Sequence, residues 1–199
     1  MTESVNRNYI ESWLISRTPS GGRVLDIGCG DGHLLARLVA ERSVRADGIE
    51  LDEAAAMAAI QRGLSVHHGN VEEGLDQYGD ATFDLVILSL TIQELGDPCR
   101  VMRECLRVGR RMAVVFPNFG HWRARWQLAV LGRAPNTPAL PFPWHLSPNR
   151  HYLTVADWED FVRSEGWRTV ERGFAANGGP VSVWPNLLAE VAMYILERP

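Results

Sequence analysis

The stretch "VLDIGCGDGHLLARL", residues 24–38, predicts a buried strand, a glycine turn and the start of a helix. The apolar run breaks at Gly28, Gly30 and Gly32, and apolar residues then resume at helical spacing. The fingerprint of dinucleotide-binding proteins, G-x-G-x-x-G, has its third glycine at the sixth position. Counted from Gly28, that position is His33 here. The turn therefore favours a ligand with a small anionic group, instead of a pyrophosphate, at the positive N-terminus of the helix.

The same alternation of strand and helix continues along the chain. Strands are expected at residues 23–28, 44–50, 64–69, 83–90, 111–118, 168–174 and 188–198. Helical patterns lie between most of them, and Asp97 with Pro98, like Thr154, marks a helix start. Strands and helices that alternate through short connections form a mostly parallel sheet with helices on both faces. The sequence thus predicts an α/β fold.

Composition narrows the class of protein. The 199 residues fit one domain, and no apolar run approaches the ~20 residues of a membrane helix. No secretory signal is visible at the N-terminus, so we expect a cytoplasmic protein that does not bind membranes. Three cysteines without CxxC spacing argue against disulfides and against a zinc site. A net charge of −4 gives no general attraction to nucleic acid.

A proline-rich insertion at about 117–150 interrupts the α/β pattern of this single expected domain, residues 1–199. Six of the eleven prolines lie between Pro117 and Pro148. A helix is expected at "HWRARWQLAVLG", and residues 134–152 follow as an irregular segment, called the arm below. Long irregular segments in compact domains usually act as lids or binding loops.

Acidic residues next to the glycine turn suggest how a ligand is held. Asp26 ends the first strand, and Glu50 ends the second strand 22 residues beyond Gly28. A carboxylate at that position can accept both hydroxyls of a ribose, and ligands bind at the carboxyl ends of parallel strands. A nucleoside that carries a carboxylate fits this pattern, and S-adenosylmethionine has that form.

Two levels of family resemblance follow from these motifs. The pattern D-x-G-x-G-x-G, followed by an acid at the second strand, resembles the class I S-adenosylmethionine-dependent methyltransferases. The segments "GRRMAVVFPNFGHWRARWQL" (109–128) and "LPFPWHLSPNRHYLTVADWEDF" (140–161) resemble the family of the methionine biosynthesis protein MetW, from about residue 8 to the C-terminus. The resemblance implies a Rossmann-like fold with a mostly parallel seven-stranded sheet and a closing antiparallel strand at the C-terminus.

The resemblance also implies the cofactor and its contacts. S-adenosylmethionine or S-adenosylhomocysteine would bind with the methionine end at Asp26, the ribose at Glu50 and the adenine at Leu51. Asn70 stands where the family commonly has an aspartate, and its amide oxygen is a weaker acceptor. The full expected set is Asp26, Gly28, Cys29, Gly30, Glu50, Leu51, Asn70, Val71 and Ser89.

Catalytic residues are harder to predict, because S-adenosylmethionine is already activated and needs little beyond proximity and orientation. The candidates are Gln93 and Glu94 after the fourth strand and Asn118 and His121 after the fifth. His121 is a possible base, although a histidine at a helix start often has a packing or capping role. Cys29 is either an activated thiolate or a small side chain packed against the ligand.

Three functions stay open at this point. The MetW resemblance implies a protein that binds S-adenosylmethionine and acts with homoserine O-acyltransferase in methionine synthesis. The alternative is a methyltransferase that acts on a small molecule. A minor alternative is a nucleic-acid methyltransferase, because "HWRARW" interleaves arginine and tryptophan; the acidic net charge and the absence of an NPPY-like loop weigh against it.

Overall fold

One sheet of eight strands runs through the molecule in this computed structural model, which describes residues 2–198 and the side chains of residues 6–198. The strands are β1 (Arg23–Ile27), β2 (Arg45–Glu50), β3 (Ser65–His68), β4 (Leu85–Ser89), β5 (Met112–Pro117), β6 (Arg168–Ala176), β7 (Gly179–Pro180) and β8 (Val191–Glu197). Their order across the sheet is β3-β2-β1-β4-β5-β8-β6-β7. Strands β1 to β5 are parallel, and β8 lies antiparallel between β5 and β6. The predicted α/β class and the closing antiparallel strand are confirmed.

The sheet has one strand more than the seven that the sequence predicts. The additional strand is β7, which has two residues and pairs with Ala175 and Ala176 of β6. Two residues are too few to display either the alternating pattern or the apolar run by which strands are predicted. The difference therefore lies at the sheet edge and leaves the fold class unchanged.

Within residues 2–198, seven α-helices flank the sheet: α1 (Thr2–Arg17), α2 (His33–Arg42), α3 (Glu53–Gln61), α4 (Pro98–Val108), α5 (Trp122–Leu131), α6 (Val155–Ser164) and α7 (Pro185–Leu188). Asp97 accepts from the backbone N–H of Arg100 at 3.0 Å, and Thr154 forms a capping box with Asp157, so both predicted helix starts are confirmed. Among residues 2–198, no helix is long and apolar enough to cross a membrane.

Both faces of the sheet are covered, because consecutive residues of the buried strands pack on opposite sides. Val24 packs with Leu14 of α1 and Leu38 of α2. Leu25 belongs to a second cluster that includes Met102 of α4. With helices on both faces, the carboxyl ends of the parallel strands are left as the entry for a ligand.

The arm joins α5 to α6 and is held at both ends by hydrogen bonds. Gln127 of α5 accepts from the backbone N–H of Asn136 at 2.6 Å and donates to the Asn136 carbonyl at 2.9 Å. Near the other end, the amides of Arg150 and His151 donate to the carbonyl of Gln93, at 2.8 and 3.1 Å. The arm is therefore tied to the loop that follows β4, which is also where the ligand is expected.

Candidate functional site

The glycine turn after β1 contains glycines for two different reasons. Gly28, Gly30 and Gly32 all have left-handed backbone angles, with φ of +73°, +56° and +76°. A Cβ at Gly28 would lie 2.6 Å from the hydroxyl oxygen of Thr91, so the protein itself requires the glycine there. A Cβ at Gly30 would meet no atom within 4 Å. Gly30 therefore borders open space into which a ligand fits.

Glu50 at the end of β2 is held against this turn. One carboxylate oxygen accepts from the backbone N–H of Gly30 at 2.7 Å, and the other accepts from the backbone N–H of Asp52 at 2.8 Å. A carboxylate offers about four acceptor positions, so each oxygen retains a further lone pair. The side chain thus has a fixed orientation and acceptor capacity for the two hydroxyls of a ribose.

Two adjoining cavities lie at the carboxyl ends of the parallel strands. The first has a volume of about 580 Å³ and the second about 660 Å³. Their shared wall is formed by Gly28, Ser89, Leu90, Glu94 and Asn149. The first cavity is also lined by the predicted residues Asp26, Cys29 and Gly30, and the second by Glu50, Leu51, Asn70 and Val71. The structure thus brings all nine predicted cofactor residues to this pair of cavities.

Two residues that line the first cavity each have a buried oxygen without a hydrogen-bond partner among the described residues. The oxygens are Oδ1 of Asp26 and Oε1 of Gln93, on side chains that are 2% and 3% exposed. Burial raises the pKa of Asp26 to about 8, and the nearby charges of Glu50 and Glu11 add to the rise. Unpaired buried acceptors are costly, so this end of the cavity is suited to a ligand that donates hydrogen bonds.

Cys29 and Asn70 have local structural partners as well as cavity positions. Burial raises the pKa of the Cys29 thiol to about 12, and a Cβ at Gly48 would lie 2.6 Å from its sulfur. Cys29 is therefore a small packed side chain rather than an activated thiolate. The side-chain oxygen of Asn70 accepts from the backbone N–H of Glu72 at 3.0 Å and caps a short 3-10 turn, which leaves it one lone pair.

Leu90 is a cavity residue that the sequence analysis missed. It follows β4, has φ of +58° and lies in the wall between the two cavities. A bulky residue in the left-handed region is strained, and such strain is concentrated at functional sites. No residue-type pattern could have indicated it, because the strain depends on the path of the backbone between β4 and the next turn.

The outer walls of the cavities come from α1 and from the arm. Asn6, Arg7, Ile10 and Glu11 of α1 line the first cavity, as do Pro138, Ala139, Pro141 and Phe142 of the arm. Ser147, Pro148 and Arg150 of the arm line the second. The arm therefore covers both halves of the site.

Of the four candidate catalytic residues, Gln93 and Glu94 line these cavities; within the described part of the chain, Asn118 and His121 do not. Asn118 donates to the carbonyl of Ala189 at 2.8 Å and accepts from the backbone N–H of Gly120 at 2.9 Å. It therefore holds two loops together, and its expected catalytic role stays a prediction.

His121 is likewise displaced from the site. It is 5% exposed, it precedes the first residue of α5, and its ring centre lies 5.7 Å from that of Trp122. Burial lowers the pKa of His121. His121 is not among the residues that line the two cavities, and its role as a general base stays a prediction.

Comparison with known proteins identifies relatives along most of the chain. A family model described as methionine biosynthesis protein MetW matches residues 8–196. The bifunctional methionine biosynthesis protein MetXA/MetW of Rhodopirellula baltica is 34% identical over 167 residues, which are 79% of this chain and 27% of that protein. A ubiquinone biosynthesis O-methyltransferase of Ralstonia nicotianae is 27% identical over 173 residues, 83% of this chain and 71% of that protein. The chain thus spans about a quarter of the length of the first relative and most of the second.

A solved structure supports the fold. The crystal structure of an S-adenosylmethionine-dependent methyltransferase from Thermotoga maritima, a possible histamine N-methyltransferase, matches with a TM-score of 0.67 and 19% identity. The match covers 98% of this chain and 91% of that one. The architecture is therefore that of the class I S-adenosylmethionine-dependent methyltransferases, as the sequence predicts.

Proposed function

The chain belongs to the MetW family of methionine biosynthesis proteins, and we propose that it binds S-adenosylmethionine in the two adjoining cavities and acts with homoserine O-acyltransferase. The observation that carries the cofactor assignment is the convergence of the predicted residues. They lie at the ends of four different strands or directly after them, and all nine line this one pair of cavities. If the glycine turn served only to pack a helix against a strand, the two cavities beside it would not need to be lined by Asp26 and Glu50, the carboxylates at the ends of β1 and β2.

The two cavities suit the two ends of the cofactor. In the first cavity, the unpaired oxygens of Asp26 and Gln93 accept from the α-ammonium group. In the second, Glu50 accepts from the ribose hydroxyls, and Leu51 and Val71 supply apolar surface to the adenine. Leu51 is 66% exposed in the structure, which leaves its side chain available for that contact. When bound, S-adenosylmethionine supplies a methyl group on a positively charged sulfur.

The partner assignment is supported by the relative and by the surface of the arm. The name of the Rhodopirellula baltica protein joins MetXA and MetW in one chain. The MetW resemblance ties such proteins to homoserine O-acyltransferase. On the outside of the site, Trp144 is 79% exposed, and Trp122 and Trp126 on α5 are 46% and 50% exposed. Exposed tryptophans are typical anchors of protein interfaces, and prolines in the arm reduce the entropy lost on binding.

A small-molecule methyltransferase is the second candidate, and the ubiquinone biosynthesis O-methyltransferase relative favours it. In that case Gln93 is the candidate for orienting the acceptor, since it lines the first cavity at the end of the cofactor that carries the reacting sulfur. Orientation of the two reactants can itself contribute about 7–11 kcal/mol to such a transfer.

The test combines ligand binding with partner binding. Calorimetric titration with S-adenosylmethionine measures the first, and co-purification and sedimentation with homoserine O-acyltransferase of the same organism measure the second. We expect a complex at micromolar concentration and measurable binding of S-adenosylmethionine. No complex with or without cofactor, together with methyl transfer to a small acceptor, would instead establish the second candidate.

We further propose that residues 1–199 form one domain in the cytoplasm. A single sheet takes its strands from Arg23 to Glu197, which supports one folding unit. Cys29, Cys99 and Cys105 are all free, which fits a reducing compartment.

A further inference from the structure

We infer that Glu190 is a positioning residue for the proposed cofactor site, on which this inference rests: through Asn6, it holds the first turns of α1 in place as one wall of the first cavity. Glu190 itself lines neither cavity, and no sequence motif indicates it. The affinity for the cofactor is therefore expected to depend on a side chain that the cofactor does not touch.

Glu190 precedes β8 and is a buried carboxylate. It is 1% exposed, and acidic residues are seldom buried to this extent unless they are paired. One carboxylate oxygen, Oε2, accepts from Nδ2 of Asn6 at 2.9 Å and from the backbone N–H of Asn177 at 3.1 Å. Among the described residues, the one cation within 4 Å is Arg123 of α5, which lies 3.9 Å from Oε1. That distance is too long for a hydrogen bond, so the two donors to Oε2 fix the carboxylate.

Asn6 of α1 is held at both ends of its side-chain amide. Its Nδ2 donates to Glu190, and its Oδ1 accepts from the backbone N–H of Gly178 at 2.8 Å. The residue is 6% exposed. Asn6, Asn177, Gly178 and Glu190, called the Glu190 cluster below, thus tie the N-terminal part of α1 to the turn between β6 and β7.

The part of α1 that the Glu190 cluster holds is also the part that lines the first cavity. The α1 residues in that wall are Asn6, Arg7, Ile10 and Glu11, which recur at helical spacing. On the other side of the cluster, Val191 follows Glu190 in the chain and lines the same cavity. The Glu190 cluster therefore lies directly behind the first cavity and connects two of its walls.

Without this anchor, the first turns of α1 would have to be ordered again each time a ligand binds. The first N–H groups of a helix have no partner inside the helix, and helix ends open more readily than their centres. The apparent affinity for a ligand falls in proportion to the fraction of molecules in which the site has its binding form. Loss of the Glu190 cluster is therefore expected to weaken the cofactor although no contact to the cofactor is removed.

Calorimetric titration with S-adenosylmethionine measures this effect in variants of Glu190. Glu190→Ala removes the acceptor of both Asn6 and Asn177, and we expect the affinity to fall about tenfold or more, the order that two hydrogen bonds give. Glu190→Gln keeps an oxygen that can accept from both, so it is expected to bind within about threefold of the wild type. Thermal unfolding establishes that each variant is folded at the temperature of the titration.

Asn6→Ala, alone and combined with Glu190→Ala, distinguishes positioning through α1 from a general loss of structure. If Glu190 acts through Asn6, its replacement has no further effect once Asn6 is alanine, so the double variant should bind within about twofold of Asn6→Ala. A general loss of structure would weaken binding by the full factor in both backgrounds.

Glu171→Ala is the matched control at the opposite end of α1. It removes the carboxylate to which Arg17 donates at 2.8 Å, and Arg17 lines neither cavity. This variant is expected to bind S-adenosylmethionine as the wild type does.

Amide hydrogen exchange tests the wild type without any variant. The amides of Asn177 and Gly178 donate within the Glu190 cluster but lie outside both cavities. If ligand and cluster stabilise the same form of α1, S-adenosylmethionine should slow exchange at these two amides. The amide of Gly166, in the turn after α6, is expected to exchange at the same rate with and without the ligand.

The outcomes separate this inference from the proposed function. Unchanged affinity in folded Glu190→Ala, or a full additional loss in the double variant, overturns the inference alone. If Glu190→Ala does not fold, unchanged exchange at Asn177 and Gly178 in the wild type overturns it in the same way. Failure of the wild type to bind S-adenosylmethionine overturns both the inference and the proposed cofactor site.

Discussion

Replacement of Glu50 by alanine gives the sharpest test of the cofactor site. The carboxylate is held in place by the amides of Gly30 and Asp52 at 2.7 and 2.8 Å, so it needs no rearrangement to accept from a ribose. Loss of two charge-assisted hydrogen bonds to the ribose costs on the order of 3 kcal/mol, which corresponds to more than a hundredfold in affinity. Glu50→Gln retains one acceptor oxygen and is expected to lose roughly tenfold.

Calorimetric titration with S-adenosylmethionine measures the loss, and circular dichroism with thermal unfolding establishes that each variant is folded. Asp47→Asn is the matched control, because Asp47 lies on the same strand but lines neither cavity. It is expected to bind as the wild type does. Unchanged affinity in folded Glu50→Ala would refute the assignment of the ribose to the second cavity.

Three further changes test other parts of the site and surface. Gly30→Ala places a Cβ in open space, so it is expected to cost only about 1–2 kcal/mol of stability, because alanine is strained at a left-handed position. The same Cβ occupies space proposed for the ligand, so the affinity for S-adenosylmethionine, measured by calorimetry, is expected to fall at least about tenfold. The pKa of Asp26 is raised from 3.8 to about 8 in the folded protein, so as pH rises the unfolded chain loses this proton before the folded protein does. The free energy of unfolding of the unliganded protein, measured by urea titration, should therefore fall between about pH 4 and pH 8, and Asp26→Asn should lessen that fall. Trp144→Ala is expected to weaken the acyltransferase complex about tenfold in sedimentation, whereas Met57→Ala, at an exposed position of α3, should not.

The parts of the site that could be predicted are those that depend on short stretches of sequence. The turn after β1 and the position of Glu50 follow from local spacing, because every parallel strand of this fold presents its carboxyl end at the same edge. Asp97 and Thr154 were equally predictable, since a helix cap is decided within four residues.

The remaining features depend on contacts between distant segments. Asn118 has the residue type of a catalytic amide, but its side-chain N–H groups donate to carbonyls of α7 and of Ala189, more than 60 residues away, and its oxygen accepts from the backbone N–H of Gly120. The backbone strain at Leu90 also depends on tertiary packing. So does the path of the arm, because its prolines indicate that helices and strands are interrupted but do not determine the conformation of the segment. Residue type thus indicated candidates, and only the fold separated cavity residues from structural ones.

The arm takes part in both proposed surfaces, so ligand and partner are expected to affect each other's binding. Pro138, Phe142 and Asn149 line the first cavity, and Trp144, which lies between them in the sequence, is 79% exposed. Five prolines restrict the arm, so a ligand that orders its inner residues also limits the conformations of its outer residues.

Thermodynamic linkage requires that the factor by which S-adenosylmethionine changes the affinity for the acyltransferase equals the factor by which the acyltransferase changes the affinity for S-adenosylmethionine. Couplings of this kind are typically about 5- to 150-fold. Calorimetry in both directions measures the two factors, and Trp144→Ala should reduce both together, because it removes the outer contact without touching the cavities. If the protein binds both ligand and partner and neither changes the affinity for the other, the arm covers the site but does not couple ligand binding to partner binding.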